Sequence, residues 1–423
     1  MSFIDKINTI RATLASDPYR FVWACLFCLF LCGIFMTDNV RILRNSFYLL
    51  VLPLFLLQVR GSFFISLFRS PVFLASLTFL AYLWLSLFWS TETGAYVFYN
   101  EARTLVLMLL FLSVTAYYSS RVEHFTLLLS KCFAIVVGIT AIISLWWYYS
   151  THSFTQIGDL ESRAVAVGVF TYSLDSATTY GFVAVFLIFS LFLSRNTGPL
   201  FTWISSFSLL FILAFVGMTQ TRGALLSIAV VVFLGLLWQR NRRLLLVISA
   251  LGMVSLGIVL LTLYHPGGVI GEERSIAVRW EIWQAALDVA RDRIWFGFGL
   301  NEHQKLLLST FPGYQGLGYQ GVAHSIYLEN LIFGGIAGTI LLLLMAGLAL
   351  HRALHVFAVN KDFLLPGLLL YTLLSGAFTG YLTLSKIAPE WIHFWLPIGL
   401  IIGSELRAQP QPAPTKERPP GNR

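Results

Sequence analysis

Charge is what this sequence has least of. Lys, Arg, Asp and Glu make up 11% of 423 residues, and hydrophobic residues 57%. An ordinary soluble domain carries roughly 25% charged residues. The two or three soluble domains that such a length would otherwise suggest are therefore excluded. The basic surplus of +8 is spread between apolar blocks and forms no patch, so it offers no nucleic-acid surface. Cysteine is also scarce: Cys25, Cys28, Cys32 and Cys132 all lie in apolar blocks. Cys25 and Cys28 make a C-x-x-C without a second ligand pair, and a zinc site needs about four ligands. These thiols read as small hydrophobic side chains, with no metal and no disulfide to brace a loop. Proline gathers in the tail after Gln409, which reads as a disordered end.

Long apolar blocks are abundant instead. A bilayer core about 30 Å thick needs roughly 20 apolar residues per helix. Twelve spans are expected, near 19–36, 43–59, 72–90, 104–119, 126–149, 176–194, 199–217, 223–239, 244–263, 324–350, 363–383 and 389–404. The fold class is thus all-α and polytopic. Residues 1–404 form one transmembrane domain and 405–423 a cytoplasmic tail. The first span has no small-residue cleavage pattern after it, so it is read as retained. Lys and Arg accumulate at alternate span ends, including Arg60, Arg69, Arg121, Lys131, Arg195, Arg240, Arg242, Arg243, Arg352 and Lys361. That bias puts both termini in the cytoplasm. The one long loop, 264–323, then faces the other side. Within it Ser275 to Arg291 has helical periodicity, with Arg279 and Trp283 at i, i+4 and Trp280 and Leu287 in register. Such a helix is expected to lie along the membrane surface. Phe311 to Ala323, rich in Gly and Tyr, reads as a mobile stretch.

Several polar residues sit where polarity is costly. Arg163, Arg222 and Arg279 fall on the loop side. A guanidinium near a bilayer is usually paired or functional, and its planar fork matches phosphate oxygens. The plainer alternative is headgroup contact, or pairing with Glu161 or Glu273. His324 directly precedes a span, where a neutral imidazole can accept a proton or simply cap a helix. Glu329 lies within that span. Gly316 to Gly321 matches G-x-G-x-x-G but follows no strand, so the dinucleotide reading fails. Gly334 and Gly338 form a G-x-x-x-G, read as close helix packing.

The order of these motifs resembles the O-antigen ligase family, whose core is shared with O-antigen polymerases and bacterial O-linked oligosaccharyltransferases. The elements are Arg163 to Phe170, Thr221-Arg222-Gly223, Arg279 with Trp283, Gly297-Phe298-Gly299, and His324-Ser325-Ile326-Tyr327-Leu328. Ser325 stands where the family has Asn, and Thr171 to Ser173 lack its Asn-Pro-Asn. The resemblance covers roughly Arg163 to Gly338. It implies a C-type glycosyltransferase fold in the bacterial inner membrane, acting at the periplasmic face without cofactor or metal. The implied donor is a glycan on undecaprenyl pyrophosphate, and the implied acceptor a lipid A–core sugar. Arg222, Arg279 and Arg163 would hold the pyrophosphate and His324 would be the base of an inverting transfer. Trp283, Tyr319, Gln320 and Ser325 would support them. The polymerase and oligosaccharyltransferase relatives use the same donor chemistry. A transporter of lipids or solutes would instead show inverted repeats and ionisable groups at mid-membrane.

Overall fold

The computed structural model describes residues 17–90, 94–152, 163–192, 198–239, 276–300, 323–380 and 384–408, and every regular element among them is a helix. In chain order these are α1 (Asp17–Met36), α2 (Val40–Gln58), α3 (Gly61–Leu67), α4 (Pro71–Leu85), α5 (Ala95–Arg121), α6 (Phe125–Thr151) and α7 (Ser173–Phe192). There follow α8 (Pro199–Met218), α9 (Arg222–Gln239), α10 (Ile276–Arg291), α11 (Ile326–Asn360), α12 (Leu364–Gly376) and α13 (Leu396–Ala408). Inside apolar hydrocarbon a helix is the natural choice, because it satisfies its own backbone polar groups. The protein is a multi-pass membrane protein. Eight described helices are long and apolar enough to cross a bilayer: α1, α2, α4, α5, α6, α7, α8 and α11. α9 and α12 are apolar but shorter. The expected span 244–263 lies outside the described residues, and 389–404 is built from a π-helical turn at Trp391–Trp395 running into α13. The short helix α3 was not expected from the sequence.

α7 is the axis of the bundle. Its apolar window is 83% buried, against 22–44% for the other seven long spans, so it is the one of the eight that is sheathed by protein. α6, α8, α9 and α12 pack around it. Its polar residues find partners inside that sheath, as interior polar groups in a membrane must. Thr179 pairs with His393 at 3.0 Å, Tyr180 donates to Thr140 at 2.9 Å, and Tyr371 donates to the Thr178 carbonyl at 2.9 Å. Cys28 and Cys32 are free and buried, in keeping with their reading as packing residues.

Two ends of the bundle are distinguished by their contacts. At one, Ser70 at the start of α4 donates to Glu405 of α13, Arg352 of α11 lies 4.0 Å from Glu405, and Arg407 donates to the Ser119 and Val122 carbonyls closing α5. At the other, the ends of α1, α4, α8 and α12 meet the starts of α7, α9 and α11.

α11 is broken near its start. At Gly335 the backbone turns to φ 64°, ψ −165°. A regular helix would bond the amides of Ile336 and Ala337 to the carbonyls of Ile332 and Phe333. Instead the strap at 292–300, which follows α10, enters the gap. Phe298 and Gly299 donate to the Ile332 and Phe333 carbonyls, both at 2.9 Å. Ile336 and Ala337 donate to the Ile294 and Trp295 carbonyls at 2.8 and 3.1 Å. All four interrupted groups are thereby satisfied. The approach is so close that a Cβ at Gly335 would stand 2.5 Å from the Trp295 carbonyl, and one at Gly297 2.5 Å from that of Phe333. Glycine's tolerance of positive φ meets the second demand of the same positions.

The strap is also pinned from α4. Tyr82 donates to the Gly334 carbonyl at 2.6 Å, Trp89 to the Phe296 carbonyl at 3.2 Å, and the Leu300 amide to Ser86 Oγ at 2.8 Å. Gly334 and Gly338 both face Tyr82, which is the close packing expected of their spacing. Gly335→Ala is expected to destabilise the protein by about 2–4 kcal/mol, from left-handed backbone strain plus overpacking. Gly347→Ala, where a Cβ meets nothing within 4 Å, should change stability by less than about 1 kcal/mol. Thermal unfolding in detergent compares the two, and equal losses would contradict this account.

Candidate active site

α10 confirms the loop helix almost to the residue. Its buried face, however, is Ile282, Ala286, Val289 and Ala290, packed with Ile332 and Phe333 of α11. The expected aromatic stripe divides: Trp280 and Leu287 are exposed, while Trp283 is half-buried against the same cluster. α10 is therefore seated on protein along one side and open on the other.

That seating carries Arg279 to the bundle. Its Nη1 donates to the Phe378 carbonyl at the end of α12, at 3.2 Å. Burial lowers its pKa from the usual guanidinium value. Phe378 also abuts the start of α9, since a Cβ at Gly223 would stand 2.6 Å from Phe378 Cβ. Arg222, the residue before Gly223, is the first of α9 and is exposed. The turn holding it is tight: Gln220 has φ 55°, its amide donates to the Gly217 carbonyl at 3.0 Å, and Thr221 bonds back to Thr219. Among the described residues neither Arg222 nor Arg279 has a carboxylate partner.

Arg163 reaches the same end by another route. The segment it begins is threaded over the helix ends by backbone contacts. The Ala164 amide donates to the Met218 carbonyl at 3.2 Å, Ala166 to Ser176 Oγ at 3.1 Å, Val167 to Ser144 Oγ at 3.0 Å and Val169 to the Ile34 carbonyl at 3.1 Å. Arg163 thus sits beside the α8–α9 turn that carries Arg222.

His324 stands two residues before α11 and is half-buried, between buried Ala323 and Ser325. Its φ is 50°, the left-handed region that a non-glycine residue seldom adopts. Burial first, then the charges of Arg279 and Arg163, push its pKa down to about 4. The imidazole is therefore neutral at physiological pH, and the two arginines are close enough to act on it. Ser325 is the N-cap residue of α11 but makes no side-chain cap bond. The indole N–H of Trp283 has no hydrogen-bond partner among the described residues. Tyr319, Gln320, Glu161 and Glu273 lie outside the described residues, as does the G-x-G-x-x-G at 316–321.

Arg163 and Arg279 are thus brought within electrostatic reach of His324, and Arg222 lies at the same end of the bundle, next to the Gly223 that packs against Phe378. Sequence reading missed Phe378, Tyr82 and the Gly335 break. Phe378 contributes a carbonyl and a packing surface, which no residue-type pattern marks. The break is signalled only by a second glycine beside one already read as packing. Among the described residues no three His, Cys, Asp or Glu side chains converge as a metal shell would.

Comparison with known proteins bears on the same region. A family model described as O-Antigen ligase matches residues 207–343, which include Arg222, Arg279 and His324. An O-antigen ligase of Pseudomonas aeruginosa is 25% identical over 380 residues, covering 88% of this chain and 87% of the relative. Both are likenesses to the O-antigen ligase family, and both take in the region of the site.

Proposed function

We propose that this protein is a glycan ligase. It transfers a glycan from undecaprenyl pyrophosphate to a hydroxyl of a lipid A–core sugar, at the periplasmic face of the inner membrane, with both termini in the cytoplasm. The observation that carries this reading is the neutral, half-buried His324 held in the field of Arg279 and Arg163. The family supplies the substrate class, since the relative named above is an O-antigen ligase.

The chemistry follows from the charges. In the transfer, the acceptor oxygen attacks the anomeric carbon while the bond to the pyrophosphate oxygen breaks. The hydroxyl proton passes to His324, undecaprenyl pyrophosphate departs, and a single displacement inverts the anomeric centre. Arg222 and Arg279, neither balanced by a carboxylate among the described residues, stabilise the charge that builds on the leaving group. Such a guanidinium fork grips phosphate oxygens two at a time. Arg163 adds to that field.

A base with a pKa near 4 is neutral but a weak proton acceptor. Donor binding lessens that weakness. The pyrophosphate's negative charge offsets the arginine contribution, the smaller cause of the depression after burial, so the proton affinity of His324 rises in part when the donor is in place. The site is thus expected to become more basic when loaded. Lipid tails on both substrates require the site to open onto the bilayer, and the exposed Trp280, Leu287, Trp295 and Phe296 around α10 and the strap suit a headgroup-level position.

His324→Ala should reduce transfer of a purified lipid-linked glycan to lipid A–core by about 10²–10⁴-fold, the usual worth of a general base, while donor binding persists. Normal transfer by this variant would sink the base assignment. Arg222→Lys and Arg279→Lys keep charge and lose the fork, and each should lower kcat; unaltered turnover in both would remove the pyrophosphate role. Transfer is expected to continue in a chelator. Product on a second lipid-linked repeat instead of lipid A–core would make the protein a polymerase.

The pH profile gives a separate check. The acid limb of kcat/KM should fall near pH 4, because the free enzyme's His324 must stay neutral and gains its proton only below that value. The limb of kcat, read on the donor-bound enzyme, should lie at higher pH. A kcat limb at or below that of kcat/KM would overturn the proposed rise in basicity.

A further inference from the structure

We infer that Glu329 is a positioning residue for this site, fixing His324 through the backbone ahead of it; this rests on the reading of His324 as the base. Glu329 lies one turn into α11 and is buried. Its Oε1 accepts the Ala323 amide at 2.7 Å, reaching back six residues across His324. Its own amide donates to the Ser325 carbonyl at 2.9 Å, so the first turn of α11 and the two residues before it form one closed unit.

Two further observations give that contact its purpose. His324 adopts φ 50°, a conformation that persists only where the surroundings over-determine it. The residue placed to cap the helix, Ser325, contributes no side-chain bond. The carboxylate on the first turn instead ties down the amide two residues ahead of the N-cap. With the Ala323 amide tied down on one side and α11 propagating on the other, the left-handed turn at His324 is locked between them. Glu329 is not among the groups that shift the His324 titration, which are burial, Arg279 and Arg163. Its carboxylate acts on position, through Ala323, and not on the imidazole's charge.

This assignment makes an unusual ranking of substitutions. Glu329→Gln loses the charge but keeps an oxygen at the same reach, so it still accepts the Ala323 amide. Glu329→Asp keeps the charge but is one methylene short. Positioning requires Gln to outperform Asp: kcat within about three-fold of wild type for Gln, and lowered by about 10–100-fold for Asp, the scale of a misplacement near 1 Å. KM for the lipid-linked donor should barely move in either. The modification rate of His324 by diethyl pyrocarbonate, which needs no turnover, should rise for Asp and stay at the wild-type rate for Gln. If Asp matches or exceeds Gln in kcat, the carboxylate's charge is what matters and the inference is wrong. It is equally wrong if both variants behave as wild type, or if both are inactive with unaltered His324 modification. Wild type and His324→Ala are assayed alongside: normal transfer by His324→Ala defeats the base assignment itself, whereas an inverted Gln–Asp ranking with an inactive His324→Ala defeats only the role of Glu329.

Discussion

Four backbone hydrogen bonds between the strap and the break in α11 organise the end of the bundle that holds the candidate site. Each is an ordinary bond, worth about 0.5–1.5 kcal/mol net in water. Their weight comes from the alternative. Without the strap, two amides and two carbonyls of a membrane helix would lack partners, at several kcal/mol per group in hydrocarbon. Without the break, the strap would have nothing to pair with. The two elements are thus conditional on each other. Both segments of the candidate site hang from this joint: α10 with Arg279 leads into the strap, and His324 opens the short helical segment just ahead of the break. Gly297 and Gly335 are where the two backbones come closest, so the spacing between Arg279 and His324 depends on two absent side chains.

The electrostatics of the site follow from that joint. Arginines that would repel one another in apolar surroundings are brought to one end of the bundle by separate devices. Arg163 comes with a threaded segment, Arg222 with a tight turn, and Arg279 with a helix seated on α11. Among the described residues Arg222 and Arg279 remain without carboxylates. A concentration of positive charge beside a depressed imidazole is poorly satisfied when empty.

Much of this was legible in the sequence because hydrocarbon imposes a simple rule. Apolar runs of about 20 residues must be helices, and α6, expected at 126–149 and found at Phe125–Thr151, shows how closely length marks a span. The periodicity of α10 was readable for the same reason that any amphipathic helix is. Other features left weaker traces. The face that α10 buries is aliphatic, Ile282 to Ala290, while its conspicuous tryptophans misdirect attention to the exposed side. Phe378 and Tyr82 act through a carbonyl contact and a hydroxyl that meets a broken helix. Neither role depends on a pattern along the chain.

The sequence by itself determined that the chain is helical and membrane-embedded, because solvation energy acts on composition and periodicity alone. Only the tertiary structure decided that Arg163 and Arg279 act on one imidazole, that α11 is broken and mended by a strap, and that a buried glutamate closes the turn at His324. Those facts rest on contacts between residues tens to hundreds of positions apart. Their energies depend on distance in space and burial, which no local pattern encodes.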